Sequence, residues 1–248
     1  MEGRPRRSFT IPELFLGLLS LAVAIVVTAN IVSDTIHDAR HVHDTISVTG
    51  SARKPIDSNL VKWSLTVTSE AATTPHAATR LSRESAAVQS YLRGAGIAKS
   101  EITPAVVTSE QVVTTLPHHR RLVSYRVAQE LEVSTHQIDI VERAAQTLGS
   151  LLQRGIEVHA QPLEYLSTEL TQAKLDALQA ATEEAHRRAE ILVKGLGGHL
   201  GAMRSSQLGV YQITPRDSTD VSDYGINDTT SRLKDVTAVV TATFAVSG

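Results

Sequence analysis

Cysteine is absent from this 248-residue chain. Disulfide staples, thiolate metal sites, cysteine nucleophiles and lipoprotein acylation are thereby excluded together, and the folded part must be held by burial alone. Aromatic residues amount to 4 %, with Trp63 the single tryptophan, which leaves little material for stacking sugars or exposed bases. Charge of one sign is lacking too: 24 Lys and Arg stand against 26 Asp and Glu, for a formal net charge of −2. The cations are scattered, so the sequence predicts no nucleic-acid partner. GxSxG, Walker-type and HExxH patterns are all missing, and with them the common hydrolase and nucleotide signatures. The expectation is a protein without enzymatic activity and without a cofactor.

One long hydrophobic run is present, Leu14 to Val32 (LFLGLLSLAVAIVVTANIV). At about 1.5 Å per residue such a run covers roughly 28 Å, close to the ~30 Å hydrocarbon core of a bilayer. Arg4, Arg6 and Arg7 precede it and only Arg40 follows closely. The charge bias predicts residues 1–13 in the cytoplasm, 14–32 as a signal anchor, 33–44 as a linker and 45–248 exported. The alternative is a cleaved signal peptide, with Val27 and Ala29 at the small-residue positions before the cut.

In the linker, His37, Asp38, His41, His43 and Asp44 make the densest polar cluster. A helical linker would set His37 and His41 on one face, and His37, His41 and His43 are the candidate metal ligands. A solvated stalk that titrates near pH ~6.5 is the competing reading.

The exported part alternates between strand and helix patterns. ISVTG at Ile46 to Gly50 reads as a strand, as does Val61, Trp63, Leu65, Val67 alternating with polar residues. Thr74 before Pro75 is a candidate N-cap for a helix with Ala77, Leu81, Val88 and Leu92 inside, stopped by Gly94 and Gly96. Ile102 to Leu116 and Val123 to Val133 predict an antiparallel hairpin. A second helix would bury Val141, Ala144, Ala145, Leu148 and Leu152 and stop before Gly155. Ile156 to Leu166 is extended and interrupted by Pro162.

Thr168 to Leu196 predicts the longest helix, with Leu178, Ala181, Ala185, Leu192 and Leu196 inward and the charges of Glu183, Glu184, His186, Arg187 and Arg188 solvated. Gly195, Gly197, Gly198 and Gly201 fail the dinucleotide spacing and read as a helix stop. Met203 to Ile213 reads as a strand. Thr214 to Ser231 reads as a long, exposed and disordered loop, in which Asp217, Asp220, Asp223 and Asp228 are candidate calcium ligands without EF-hand spacing. Val236 to Val246 alternates as the last strand. Paired strands between single helices predict an α+β sandwich of largely antiparallel sheet with three helices. On the strand from Val123 to Val133, Tyr125 falls with the apolar set. Arg126 falls with Glu130 and Glu132, to pair within the sheet or across a subunit contact.

Four segments carry a resemblance: ISVTG at Ile46 to Gly50, LRGAGI at Leu92 to Ile97, LVSYRV at Leu122 to Val127, and EAHRRAEILVKGLGGHLG at Glu184 to Gly201. In that order and spacing they resemble the SIMPL domain family, formerly a numbered domain of unknown function, which includes periplasmic immunogenic proteins of pathogenic bacteria. The resemblance implies an α+β fold of two subdomains, a place in the bacterial envelope and a tendency to assemble with copies of itself into large rings. It also implies no established catalytic activity. An inner-membrane, single-pass protein with its C-terminal domain in the periplasm follows, in an envelope- or oxidative-stress setting that the resemblance alone suggests. A ligand- or metal-binding sensory module, with Thr214 to Ser231 folding over a pocket, is the other function expected.

Overall fold

The computed structural model describes residues 44–117 and 120–248, so the apolar run 14–32 and the candidate ligands His37, His41 and His43 lie outside the described residues. Among the described residues no helix is long and apolar enough to cross a membrane. Eleven strands and four helices are described, one helix a five-residue turn, in two antiparallel-rich sheets. The α+β class with three principal helices is as expected.

The chain divides into two units. The larger comprises Ser51–Ala181 and Leu208–Val239, and the smaller runs up to Gly50 with Thr182–Gln207 and Val240–Gly248.

In the larger unit, β2 (Leu60–Ala71) and β5 (Arg120–Thr135) form the antiparallel centre of a sheet ordered β3-β5-β2-β6, with β3 (Ile102–Pro104) and β6 (Val158–Ala160) outside. β4 (Thr108–Leu116) pairs with β5, and β7 (Glu164–Leu166) pairs with β2. The alternation of β2 sends Val61, Trp63, Leu65 and Val67 to one face, where Val127, Leu131 and Val133 of β5 join them. That face is covered by α1 (Thr74–Gly94), through Ala77, Leu81, Val88 and Leu92 as expected, and by α2 (Ile138–Thr147). Trp63 satisfies its indole N–H on the Gln161 carbonyl, 3.1 Å away. The opposite face carries the polar set and is partly exposed.

Several boundaries differ from the sequence reading. The cap of α1 is Thr73, extended and without a side-chain bond, one residue earlier than expected. The second helix breaks after Thr147 and resumes as α3 (Gly149–Gln153), which changes its phase: Leu151 is buried and Leu152 is exposed. Pro162 splits the segment after it into β6 and β7.

β9 (Gln212–Pro215) pairs in parallel with β10 (Ile226–Asn227) and antiparallel with β11 (Leu233–Ser247), with Val236 opposite Ile213. The expected disorder of Thr214 to Ser231 is therefore not observed. The Gln212 side chain brackets Ser222 through both its amide groups, and Asp228 accepts from the amide and hydroxyl of Thr230. Polar local bonds order a segment that has little apolar surface to bury.

β1 (Thr45–Asp57) starts in the smaller unit and extends well past the expected ISVTG. There, Val48, Ala185, Ala189, Ala242 and Phe244 form a core, with Ile46 and Leu200 packed on it. Ala185 and Ala189 come from α4 (Leu170–Gly195), Leu200 from β8 (His199–Leu208). The buried stripe of α4 is Ala173, Ala177, Ala181, Ala185, Ala189 and Val193; Leu192 and Leu196, expected inside, are exposed. Alanines let backbones approach closely, and a leucine would hold them apart. Gly198 and Gly201 continue the close packing, since a Cβ there would lie 3.0 Å from the Ser247 carbonyl and 3.1 Å from Ala245.

Candidate functional site

The pairing of β4 with β5 runs further than that of β2 with β5. β2 ends at Ala71 opposite Tyr125, whereas β4 continues through Val112 opposite Ser124 to Leu116 opposite Arg120. Beyond Tyr125 the hairpin is thus a two-stranded ribbon. Its side chains at Val113, Leu122 and Val123 are each 39 % exposed or more, and Val106 and Val107 before β4 are exposed as well. β4 has no strand on its outer edge among the described residues. Unpaired backbone along β4, with apolar side chains open on both strands of the ribbon, is what a further strand or a partner surface covers.

Arg126 stands at the foot of this ribbon. Its Nη1 donates to Glu110 of β4 and its Nη2 to Glu70 of β2, both at 3.0 Å, so one guanidinium ties three strands. The Ser124 hydroxyl donates to the other oxygen of Glu70 at 2.5 Å, and that bond, ahead of Arg126, holds Glu70 below the usual carboxylate range. Glu110 and then Glu70 raise the Arg126 pKa. The structure therefore meets the charge of Arg126 inside the sheet, with Glu70 and Glu110 rather than Glu130 and Glu132. Tyr125, on the other face, is half-buried. The protrusion was invisible in the sequence because strand patterning gives the period of β4 and β5 but not where their neighbour stops.

A second polar group lies where β7, β9 and β11 meet α2 within the larger unit. Lys234, 3 % exposed, donates through Nζ to the backbone carbonyls of Tyr165 at 2.5 Å and Asp228 at 2.6 Å, and burial lowers its pKa. Tyr165 donates to Glu142 at 2.9 Å; burial, then that carboxylate, pushes its pKa up to about 12. Arg232 pairs with Asp139 at 2.6 Å. These groups satisfy one another, which is the arrangement of a structural network.

Open clefts surround these groups. One of about 560 Å³ lies against β9 and β10, lined by Tyr211, Tyr224, Lys174, Leu170 and Val210. Lys174 sits 5.6 Å from the Tyr211 ring centroid, and Tyr224 is 97 % exposed. The 214–231 segment reaches this cleft through Tyr224, Gly225 and Ile226, and two further clefts through Arg216 and through Thr229 and Thr230. Its aspartates are not gathered there: among the described residues no three His, Cys, Asp or Glu side chains form a group that could hold a metal. On α4, Arg188 pairs with Glu184 at 2.6 Å and donates to the Thr49 carbonyl, and His186 meets the Phe244 ring edge-on at 5.6 Å, so the charged stripe is partly engaged.

Compared with known proteins, residues 46–244 match the family described as "SIMPL: Protein of unknown function (DUF541)". No curated protein matches the chain. A solved structure described as "a putative aminohydrolase from methicillin resistant Staphylococcus aureus" is 16 % identical, with a TM-score of 0.22, over 56 % of this chain and 39 % of that one. The chain spans well under half the length of that protein, and a likeness at this level carries no functional argument.

Proposed function

We propose, from the premise that the chain belongs to the SIMPL family of proteins of unknown function, that it is a non-enzymatic envelope protein that assembles with copies of itself. Residues 14–32 hold it in the inner membrane, and the domain from 45 to 248 works in the periplasm, in envelope or oxidative stress. The observation that carries the assembly reading is the β4–β5 ribbon, with its unpaired outer edge and exposed Val113, Leu122 and Val123. Burying one such side chain is worth about 1.5–3 kcal/mol when complete, so a few of them sustain a subunit contact.

Light scattering of the detergent-solubilised full chain tests this. The native protein is expected at a multiple of its monomer mass, and a Val113→Lys, Val123→Lys double variant at the monomer mass with unchanged circular dichroism. A strict native monomer at micromolar concentration sinks the assembly reading. Intact mass of protein recovered from its own membrane tests the anchor, because removal after Ala29 leaves a chain lacking the apolar run.

The tyrosine-lined cleft supports a second reading, a ligand-binding sensory module. A metabolite that raises the melting temperature of the native protein and not of Tyr224→Ala supports it. Zinc titrated against the full chain tests His37, His41 and His43.

A further inference from the structure

Three helices of this protein end in the same hydrogen-bonded turn. At the end of α1, Gly96 has φ +109°, and the amide of Ile97 donates to Leu92 while that of Gly96 donates to Arg93. After α3, Gly155 has φ +75°, Ile156 donates to Leu151 and Gly155 to Leu152. At the end of α4, Gly197 has φ +80°, Gly198 donates to Val193 at 3.0 Å and Gly197 to Lys194 at 3.1 Å. The residue after the positive-φ glycine normally folds an apolar side chain back over the helix. Ile97 and Ile156 do so and are buried.

The third turn departs from that pattern in two ways. Gly198 has no side chain to fold back, and the position before the glycine, occupied by Ala95 and Arg154 in the other turns, is Leu196. Leu196 is 86 % exposed, held outward by a bonded turn rather than by a loose end, and Ile191 at 65 % and Leu192 at 50 % are exposed in the last turns of the helix before it. A cleft of about 530 Å³ opens next to it, walled by Ile46, Val193, Leu196 and Val246, with Asp44 at its margin. An apolar rim of this kind on a small unit asks for a cover.

Asp44 is also where the upstream chain joins, and this decides the occupant. Only Ser33 to His43 separate it from the end of the apolar run, and at 3.3–3.6 Å per residue they reach at most about 40 Å. A bilayer holding residues 14–32 is therefore tethered to the cleft, whereas a second copy of the chain has to be found by diffusion. We infer that Ile191, Leu192 and Leu196 rest in the headgroup and upper acyl region of that same bilayer, making the end of α4 a lipid-contacting foot. Lys194, between the leucines in sequence, has a stem long enough to keep its ammonium among the headgroups. The Asp44 carboxylate at the margin offsets the Lys194 ammonium, which leaves apolar area as the main term of the contact. The inference rests on the anchor reading above.

The absence of cysteine makes the test clean, because a single introduced thiol is the only one to label. Full-length Leu196→Cys, Ile191→Cys and, as a reference on the larger unit, Val221→Cys are labelled with a nitrobenzoxadiazole dye. Each is reconstituted into phosphatidylcholine vesicles in which part of the lipid carries an acyl-chain nitroxide. Flotation and quenching are read on the same sample. Co-flotation with severalfold stronger quenching at 191 and 196 than at 221 supports the foot. Co-flotation with equal quenching overturns it and leaves the anchor standing. Emission at 196 that is shifted to the blue but not quenched by nitroxide lipid means that protein covers the rim, and also overturns it. Failure to float removes the anchor reading and the foot with it.

Discussion

Tyr165 and Lys234 occupy one partly buried network but respond to alkali in opposite directions. The phenol of Tyr165, raised to about 12, keeps its proton in the folded chain while the unfolded chain releases it near pH ~10. Its stabilisation is complete below pH ~10 and is lost as pH rises toward 12. Lys234, lowered by burial, gives up its proton earlier when folded, so its contribution grows as pH climbs toward the normal lysine value of ~10.4. Tyr165→Phe isolates the first effect. Urea midpoints measured at several pH values are expected to show a variant weaker by about 1 kcal/mol at neutral pH, the worth of its bond to Glu142. The gap should close between pH ~10 and ~12, and a constant gap refutes the assignment. Lys234→Met deprives two buried carbonyls of their donor and is expected to cost roughly 2–3 kcal/mol. Two glycines separate backbone strain from crowding. Gly155→Ala meets open space and pays only for its positive φ, roughly 1 kcal/mol, whereas a Cβ at Gly225 would lie 2.8 Å from the Tyr211 carbonyl as well. Gly225→Ala should cost distinctly more in the same urea assay.

Helix α4 shows at the scale of an element how much the sequence discloses. Its existence and length are legible from composition and from the glycines after it, and its buried side only in part. Ala181 and Ala185 are read inward and are buried, but an apolar periodicity weighted by size adds Leu192 and Leu196, which are exposed, where the structure buries Ala189 and Val193. Steps of four residues advance the contact line by about 40° each, so a stripe from Ala173 to Val193 winds around the helix, and no fixed-face reading can follow it. Ala189→Leu is accordingly expected to cost ~1–3 kcal/mol by overpacking, and Leu175→Ala, at an exposed site, close to nothing. The reverse order in denaturation midpoints would mean that the leucines face the core. Strands divide in a similar way. β2, β5 and β11 bury one face each, and their alternation is plain in the chain. The far end of β1, Ser51–Asp57, is polar with Pro55 inside it, and β10 has only two residues; both exist by pairing, which local sequence does not encode. The Arg126 cluster follows the same rule. Arg126 and Glu70 are 56 residues apart, and only the register of β2 on β5 makes them neighbours.

For the whole molecule, the missing cysteines and the unpaired ribbon bear on one question, what besides burial within a chain keeps the protein folded. No covalent staple contributes, so a reductant should leave the melting temperature unchanged. Association can contribute, because a contact made only by the folded ribbon draws the equilibrium toward the native state by mass action. Each tenfold rise in protein concentration adds at most about 1.4 kcal/mol per subunit contact, and the melting temperature must rise with it. The expected result is a steady downward shift for the native full-length protein as it is diluted a hundredfold in detergent, and a flat line for the Val113→Lys, Val123→Lys variant. Both residues are exposed in the single chain, so neither substitution removes a contact from its core. A variant that keeps the native slope would place the subunit contact elsewhere than on the ribbon. A variant that melts low at every dilution would mean that the ribbon serves the fold of its own chain instead.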